Sequence, residues 1–222
     1  MAEPTSSDPE LVRRLAGALH DLRQPLEALA IYADLLTQEP AQAVELAPRM
    51  ARAVAVAQGL ARSLQDFAAL RAHAAALAQQ PMPVLALLAD LAAVYEPLAR
   101  QKSLRWRMRG VDATLHTDAA MLRRLLGNLL ANAIAYTARG GVLLAVRRRG
   151  TALVFEVWDT GRGMALRDQE RVFEPFVRLG AAGEGAGLGL AVVRELADRL
   201  GCSVALHSRP GRGSVFRVSF RA

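Results

Sequence analysis

Cysteine is all but missing from this chain of 222 residues. Cys202 stands alone, which excludes an internal disulfide framework and a cysteine-built metal cluster. No apolar run reaches the eighteen or so residues of a membrane-spanning helix. The opening MAEPTSSDPE is polar and acidic, unlike a secretory signal or a lipidation site. Lysine is reduced to Lys102, and aromatics make up 5% without alternating with basic residues. The net charge of +7 and the pI near 10.8 therefore rest on scattered arginines, with one short run at Arg147 to Arg149. That pattern argues against nucleic-acid binding, for which charge alone is only a footprint. There is no G-x-x-x-x-G-K-[ST], which excludes a P-loop, and no protein-kinase catalytic or D-F-G motif. With 52% hydrophobic and 22% charged residues, a globular cytoplasmic protein without a membrane segment is expected, of one large domain or two small ones.

What is present falls into two textures. Residues 9–79 show no sustained period-two pattern. Leu15, Leu19, Leu22, Leu26, Leu29, Ala33 and Leu36 are spaced alternately by four and three, the heptad seam of a helix packed in a bundle. Glu39 and Pro40 interrupt it, and a looser seam follows through Met50, Val54, Ala57, Leu60 or Ala61, Leu64 and Phe67. Two such helices with a short connection make an antiparallel hairpin. One hairpin is too thin to bury its own seam, so a four-helix bundle formed by a homodimer is expected. Pro48 belongs either to the first turn of the second helix or to a kink within it.

The segment QQPMP, Gln79 to Pro83, reads as a linker between a first domain at 9–79 and a second at 83–222. Beyond it come a helix at about 84–100, a strand LRWRM, and a helix around Met121 to Tyr136. A hairpin GGVLLAVRRRGTALVFEVWD, a helix LGLAVVRELADRLG and a closing hairpin CSVALHSRPGRGSVFRVSF complete the chain. The whole predicts an α + α/β two-domain chain: a helical hairpin, then a sandwich with a mixed sheet and helices on one face.

Three motifs in the second half carry chemistry. Asn128 and Asn132 stand at i and i+4 on one helix face, and an asparagine carbonyl is a hard oxygen ligand suited to Mg²⁺. Asp159-Thr-Gly161-Arg-Gly163 follows a strand directly. The glycines allow close backbone approach to a ligand, and the carboxylate accepts a hydrogen bond from an exocyclic amine such as that of adenine. Gly185-Ala-Gly187-Leu188-Gly189 runs into a helix N-terminus, a site of free N–H groups and favourable dipole for anions. Each motif alone is common.

In this order and spacing, with RVFEPFVRL between the last two, they resemble the N box, first glycine box, F box and second glycine box of the Bergerat-type ATP-binding fold, shared by histidine kinases, gyrase, MutL and Hsp90 proteins. The resemblance covers about residues 83–222. It implies ATP and Mg²⁺ as cofactors, with Asn132 as the metal ligand and Asn128 beside it. It implies Asp159 on the adenine amine, with Gly161 and Gly163 behind it, and Gly185, Gly187, Leu188 and Gly189 around the phosphates. Tyr136 and Arg178 join the nucleotide contacts on the same ground, while Phe173 and Phe176 anchor the lid. Hydrolytic members carry a glutamate four residues before the magnesium asparagine; here Asn128 holds that place. Without that general base, transfer to a protein group is favoured over hydrolysis.

In the first half, HDLRQPL resembles the H box of HisKA-type sensor histidine kinases. His20 directly follows the seam residue Leu19, and one residue of helix turns it about 100° away from the core. A neutral imidazole there is nucleophilic, and Asp21 can orient it and raise its basicity. Pro25 removes the helical hydrogen bond to the Asp21 carbonyl, and an interior proline costs roughly 3 kcal/mol, which suggests a bend serving motion of the ATP domain. The resemblance implies autophosphorylation of His20 and transfer to the aspartate of a response-regulator receiver domain, absent from this chain. Gln24 stands where many members carry the Thr or Asn that serves dephosphorylation, and Ala135 stands where a basic residue is common, with Arg139 or Arg178 as substitutes. No sensor domain is expected here, so input comes from a missing sensor domain or a separate sensor protein. A phosphotransfer protein with an ATP-like domain that no longer binds nucleotide, and a gyrase- or chaperone-like ATPase, are the rival readings.

Overall fold

The computed structural model describes residues 9–72, 77–177, 179 and 187–221. Its first part is two long helices, α1 (Pro9–Gln38) and α2 (Ala43–Ala72), joined through a 3₁₀ turn at Pro40–Gln42. Helix α1 continues through Pro25, and α2 contains Pro48 beyond its first turn, so both prolines lie inside helices. The seam of α1 is covered on one side only. Leu22, Leu29 and Leu36, seven apart, are half-buried, whereas Leu19 and Leu26 keep 59% and 51% of their surface exposed. On α2, Leu46, Ala57 and Leu60 are buried and Val54 is exposed.

The second part is a layered α/β module. Strands β2 (Arg105–Arg109), β4 (Gly141–Arg149), β5 (Ala152–Asp159), β6 (Ser203–Arg209) and β7 (Gly213–Phe220) form one sheet in the order β2-β4-β5-β7-β6. Only β2 and β4 run parallel, so the sheet is mixed, as expected. Helices α3 (Val84–Gln101), α4 (Ala119–Ala135) and α5 (Gly189–Leu200) supply the other half of the core. Leu87, Leu88, Leu125, Leu129 and Leu196 meet Leu144, Phe155, Val157 and Val218 from the sheet's inner face. Phe155 and Phe220 pack edge to face, with ring centres 5.9 Å apart.

The linker reading of Gln79 to Pro83 is corrected. Residues Gln80–Pro83 form β1, which pairs antiparallel with β3 (Thr114–Thr117) in a separate two-stranded ladder. Neither proline has an N–H to donate, so both are confined to such short edge pairings. Met82 is buried in the core from this strand. Asp118 caps α4 by accepting from the Met121 N–H at 3.0 Å, and its other oxygen accepts from the Ala78 N–H at 3.2 Å. The far end of α4 is closed by the chain's one lysine: Lys102 Nζ donates to the Ile134 carbonyl at 3.2 Å. Gly201 closes α5 in the left-handed conformation.

The two parts touch. Leu60 of α2 is buried with the module's core, and Leu22, Val56 and Leu64 pack against it. Among the described residues no helix is long and apolar enough to cross a membrane.

Candidate nucleotide site

A cleft of about 290 Å³ opens between α4, the end of β5, the turn after it and the start of α5. Its size stands at the small end of ligand clefts. Asn128, Asn132, Tyr136, Asp159, Gly163, Gly187, Leu188 and Gly189 all line it.

Helical spacing puts Asn128 and Asn132 on one face of α4. Asn128 Nδ2 donates to the Arg124 carbonyl at 3.0 Å, which fixes its amide and leaves Oδ1 turned elsewhere. Gly189 backs onto both asparagines. A Cβ there would lie 3.5 Å from Asn128 Oδ1 and 3.6–3.8 Å from the amide atoms of Asn132, so the first residue of α5 abuts the pair. The N-cap residue of α5, Leu188, makes no side-chain cap, so among the described residues no cap occupies the leading N–H groups.

Asp159 ends β5 opposite Ser214 of β7. Burial is the larger influence on its carboxyl and raises it above its ordinary value, against hydrogen bonds from the Gly161 N–H and from the backbone and hydroxyl of Ser214. The bond from Gly161 measures 2.8 Å. Two glycines make the turn possible. Gly163 has φ +63°, and any Cβ on it would strike the Arg209 carbonyl; a Cβ on Gly161 would strike the Tyr136 carbonyl and approach Asp159 Oδ1 to 2.9 Å.

The chain on either side of the segment expected as a lid is tied together. The Phe176 N–H donates to the Gly187 carbonyl at 2.9 Å, with both residues at positive φ. Phe173 is buried edge-on to Phe216, with ring centres 6.3 Å apart. Arg178 and Gly185, both expected at the site, lie outside the described residues. Ala135 lines the cleft in the place where a basic residue was sought, and Arg139 is exposed outside it.

The structure therefore brings Asn128, Asn132, Tyr136, Asp159, Gly163, Gly187, Leu188 and Gly189 together, with Gly161 behind Asp159. It does not bring His20, Asp21 or Gln24 to the cleft. His20 and Gln24 are exposed on α1, Asp21 is half-buried, and the hairpin's contribution to the lining is Gly59 of α2. Sequence reasoning missed Ser214, Arg162 and Gly59. Arg162 lies over the Tyr136 ring at 4.7 Å and donates to the Leu179 carbonyl at 2.8 Å, joining the glycine turn to the lid. The arginine was visible inside the glycine box, but only the fold shows what it meets.

The donor set fits a nucleotide with a divalent cation. There is a buried carboxylate for an amine, an uncapped helix start for phosphates, and asparagine carbonyls as hard ligands. Among the described residues no cluster of His, Cys, Asp or Glu competes as a metal site.

Comparison with known proteins agrees. Residues 117–222 match the family described as Histidine kinase-, DNA gyrase B-, and HSP90-like ATPase. Over 93% of its length the chain is 32% identical to the virulence sensor protein BvgS of Bordetella bronchiseptica, of which that match covers 18%. It is also 32% identical over 91% of its length to the sensor protein IrlS of Burkholderia pseudomallei, of which it covers 45%. The chain thus spans less than half of either relative. Full-length ShkA in complex with AMPPNP is similar over 93% of this chain and 45% of its own, with TM-score 0.68 and 26% identity. Histidine kinase ThkA in complex with the response regulator TrrA shares the fold over 96% of this chain and 61% of its own, with TM-score 0.72 and 18% identity.

Proposed function

We propose, from the match of residues 117–222 to that ATPase family, from the likeness to sensor proteins and from the fold shared with a histidine kinase, that this chain is the catalytic core of a sensor histidine kinase. Residues 9–79 are its dimerisation and phosphotransfer domain, and residues 83–222 its ATP-binding domain. The observation that carries the reading is the convergence of Asn128, Asn132, Asp159 and the Gly187–Gly189 backbone on one cleft.

In this reading Asp159 accepts the adenine amine; its burial strengthens the selectivity, because a guanine carbonyl would face a desolvated acceptor. Gly187, Leu188 and Gly189 offer N–H groups to the phosphates, and Arg178 and Gly185 complete that contact. Asn132 would hold Mg²⁺, which would supply charge neutralisation at the phosphates. A ring nitrogen of His20 attacks the γ-phosphorus, the P–N bond forms, the P–O bond to ADP breaks, and Asp21 takes or orients the imidazole proton. His20 is exposed, as an acceptor that must meet a second molecule requires. That second molecule is a response-regulator receiver domain, whose aspartate takes the phosphoryl group. Gln24, exposed one turn on, is placed to orient water for the reverse, dephosphorylating reaction. Pro25 supplies the bend between these states. The exposed half of the α1 seam, Leu19 and Leu26, is where a second copy pairs to complete a four-helix bundle. ATP supply puts this chemistry in the cytoplasm.

The test is incubation with γ-labelled ATP and Mg²⁺, followed by assay for acid-labile phosphate on the protein. Label is expected on wild type and none on His20→Ala. Label surviving that substitution, or free phosphate released without any labelling, overturns the reading.

A further inference from the structure

The face of the five-stranded sheet turned away from α3, α4 and α5 does not take part in the nucleotide chemistry. The strand registers set its composition. Arg105, Arg107 and Arg109 on β2, Arg147 and Arg149 on β4, Arg217 on β7 and Arg209 on β6 all alternate with core-facing neighbours such as Trp106, Val146, Phe216 and Ser208. Against seven arginines this face carries one carboxylate, Glu156, a balance of +6 on a chain whose net charge is +7. Seven arginines that are scattered along the sequence thus share one surface.

The face has a rigid centre and a charged margin. Glu156 is buried between Arg147 at 2.6 Å and Arg217 at 2.8 Å, and accepts from Trp158 Nε1 at 3.2 Å. The guanidinium of Arg217 lies 5.6 Å from the centre of the Trp158 ring, and Trp158 remains 38% exposed. Ala145, Val154 and Val215, on the same face, are buried apolar residues between them. The other five arginines are exposed, at both margins of the sheet.

We propose that this face lies on an anionic lipid surface. Strands about 4.8 Å apart, with alternate residues about 6.6 Å apart, spread the arginines over a two-dimensional grid. A planar array of phosphate headgroups complements such a grid, whereas a nucleic-acid duplex presents its phosphates along narrow lines. Single-stranded nucleic acid needs several stacking platforms in succession, and here one ring, Trp158, is exposed. A lone exposed tryptophan among arginines suits the headgroup layer, where its amphipathic ring is favoured. The inference stands independently of the phosphotransfer reading, since none of these residues lines the nucleotide cleft.

Co-sedimentation of the full chain with phosphatidylcholine vesicles, with and without phosphatidylglycerol, is the test. Binding is expected to the anionic vesicles only, and to disappear at high salt. The triple substitution Arg105→Gln, Arg107→Gln and Arg149→Gln, all at exposed positions, is expected to lower partitioning on the order of 100-fold. A melting curve by circular dichroism that overlays wild type shows that the variant remains folded. No sedimentation with anionic vesicles, equal sedimentation with neutral ones, or unchanged binding by the triple variant overturns the proposal. So does an oligonucleotide that binds through these arginines and displaces the vesicles.

Discussion

Leu126 on α4 and Leu26 on α1 are both leucines in apolar helix stripes, yet the first is fully buried and the second half exposed. The contrast runs through the two parts of the chain. The α/β module closes its own core: the inner faces of five strands meet three helices, and both ends of α4 are capped by named side chains. The hairpin closes only half of its seam and borrows the module's core for Leu60. One part is a finished object with a recessed cleft. The other is an unfinished surface with an exposed histidine. Under the proposed function, a fixed site for a small ligand and an open site for large partners would call for these opposite finishes.

The largest expected effect breaks the module. Leu126→Ala should cost about 2–5 kcal/mol in denaturant unfolding, through lost burial and the cavity left behind. Next, Asn132→Ala should lower the rate of phosphate labelling on the order of 100-fold while leaving the unfolding midpoint near wild type. A loss of stability instead would mean that the asparagine pair is structural.

Glu156→Gln sharpens the comparison at the sheet's outer face and should cost about 1–3 kcal/mol at neutral pH, through its hydrogen bonds to charged arginines. Burial pushes this carboxyl up, but bonds from Arg217, Arg147 and Trp158 outweigh that and hold it below the usual range. Its folded value is depressed, so its stabilisation is complete above the ordinary glutamate range and is lost as pH falls through the folded value. The gap between wild type and variant should narrow in acid, as read from melting curves against pH.

The smallest effect belongs to the hairpin. Leu26→Ala should change unfolding of the isolated chain by less than about 0.5 kcal/mol. Its consequence should appear in light scattering, as dimer lost at concentrations where wild type pairs. If Leu26→Ala were as costly as Leu126→Ala in a monomer, the contrast between the two parts would fail.

The helices of both parts were legible because their apolar residues recur with helical spacing, and the hairpins β4–β5 and β6–β7 because theirs alternate. The ladder of β1 and β3 was not, since two prolines in four residues imitate a linker and the partner strand lies far along the chain. The seam was legible as a seam, but its division into covered Leu22, Leu29 and Leu36 and uncovered Leu19 and Leu26 depends on where α2 lies. At the cleft, the asparagines, Asp159 and the glycines announced themselves by type and order. Ser214 could be found only once the register set it against Asp159, and Gly59 only once α2 docked. The arginine-rich face was read as scatter because alternation over four separated strands has no local signature.

The bond from Phe176 to Gly187 has a consequence for how this part of the chain can vary. Departing and returning strands of backbone are clasped at a neck, so whatever lies between them is an excursion whose length does not set the position of either wall. Closing a loop twice as long costs only about 0.6 kcal/mol more. Residues inserted between Phe176 and Gly187 are therefore expected to leave the cleft walls where they are, since the clasp and not the length of the insert sets the spacing of its two ends.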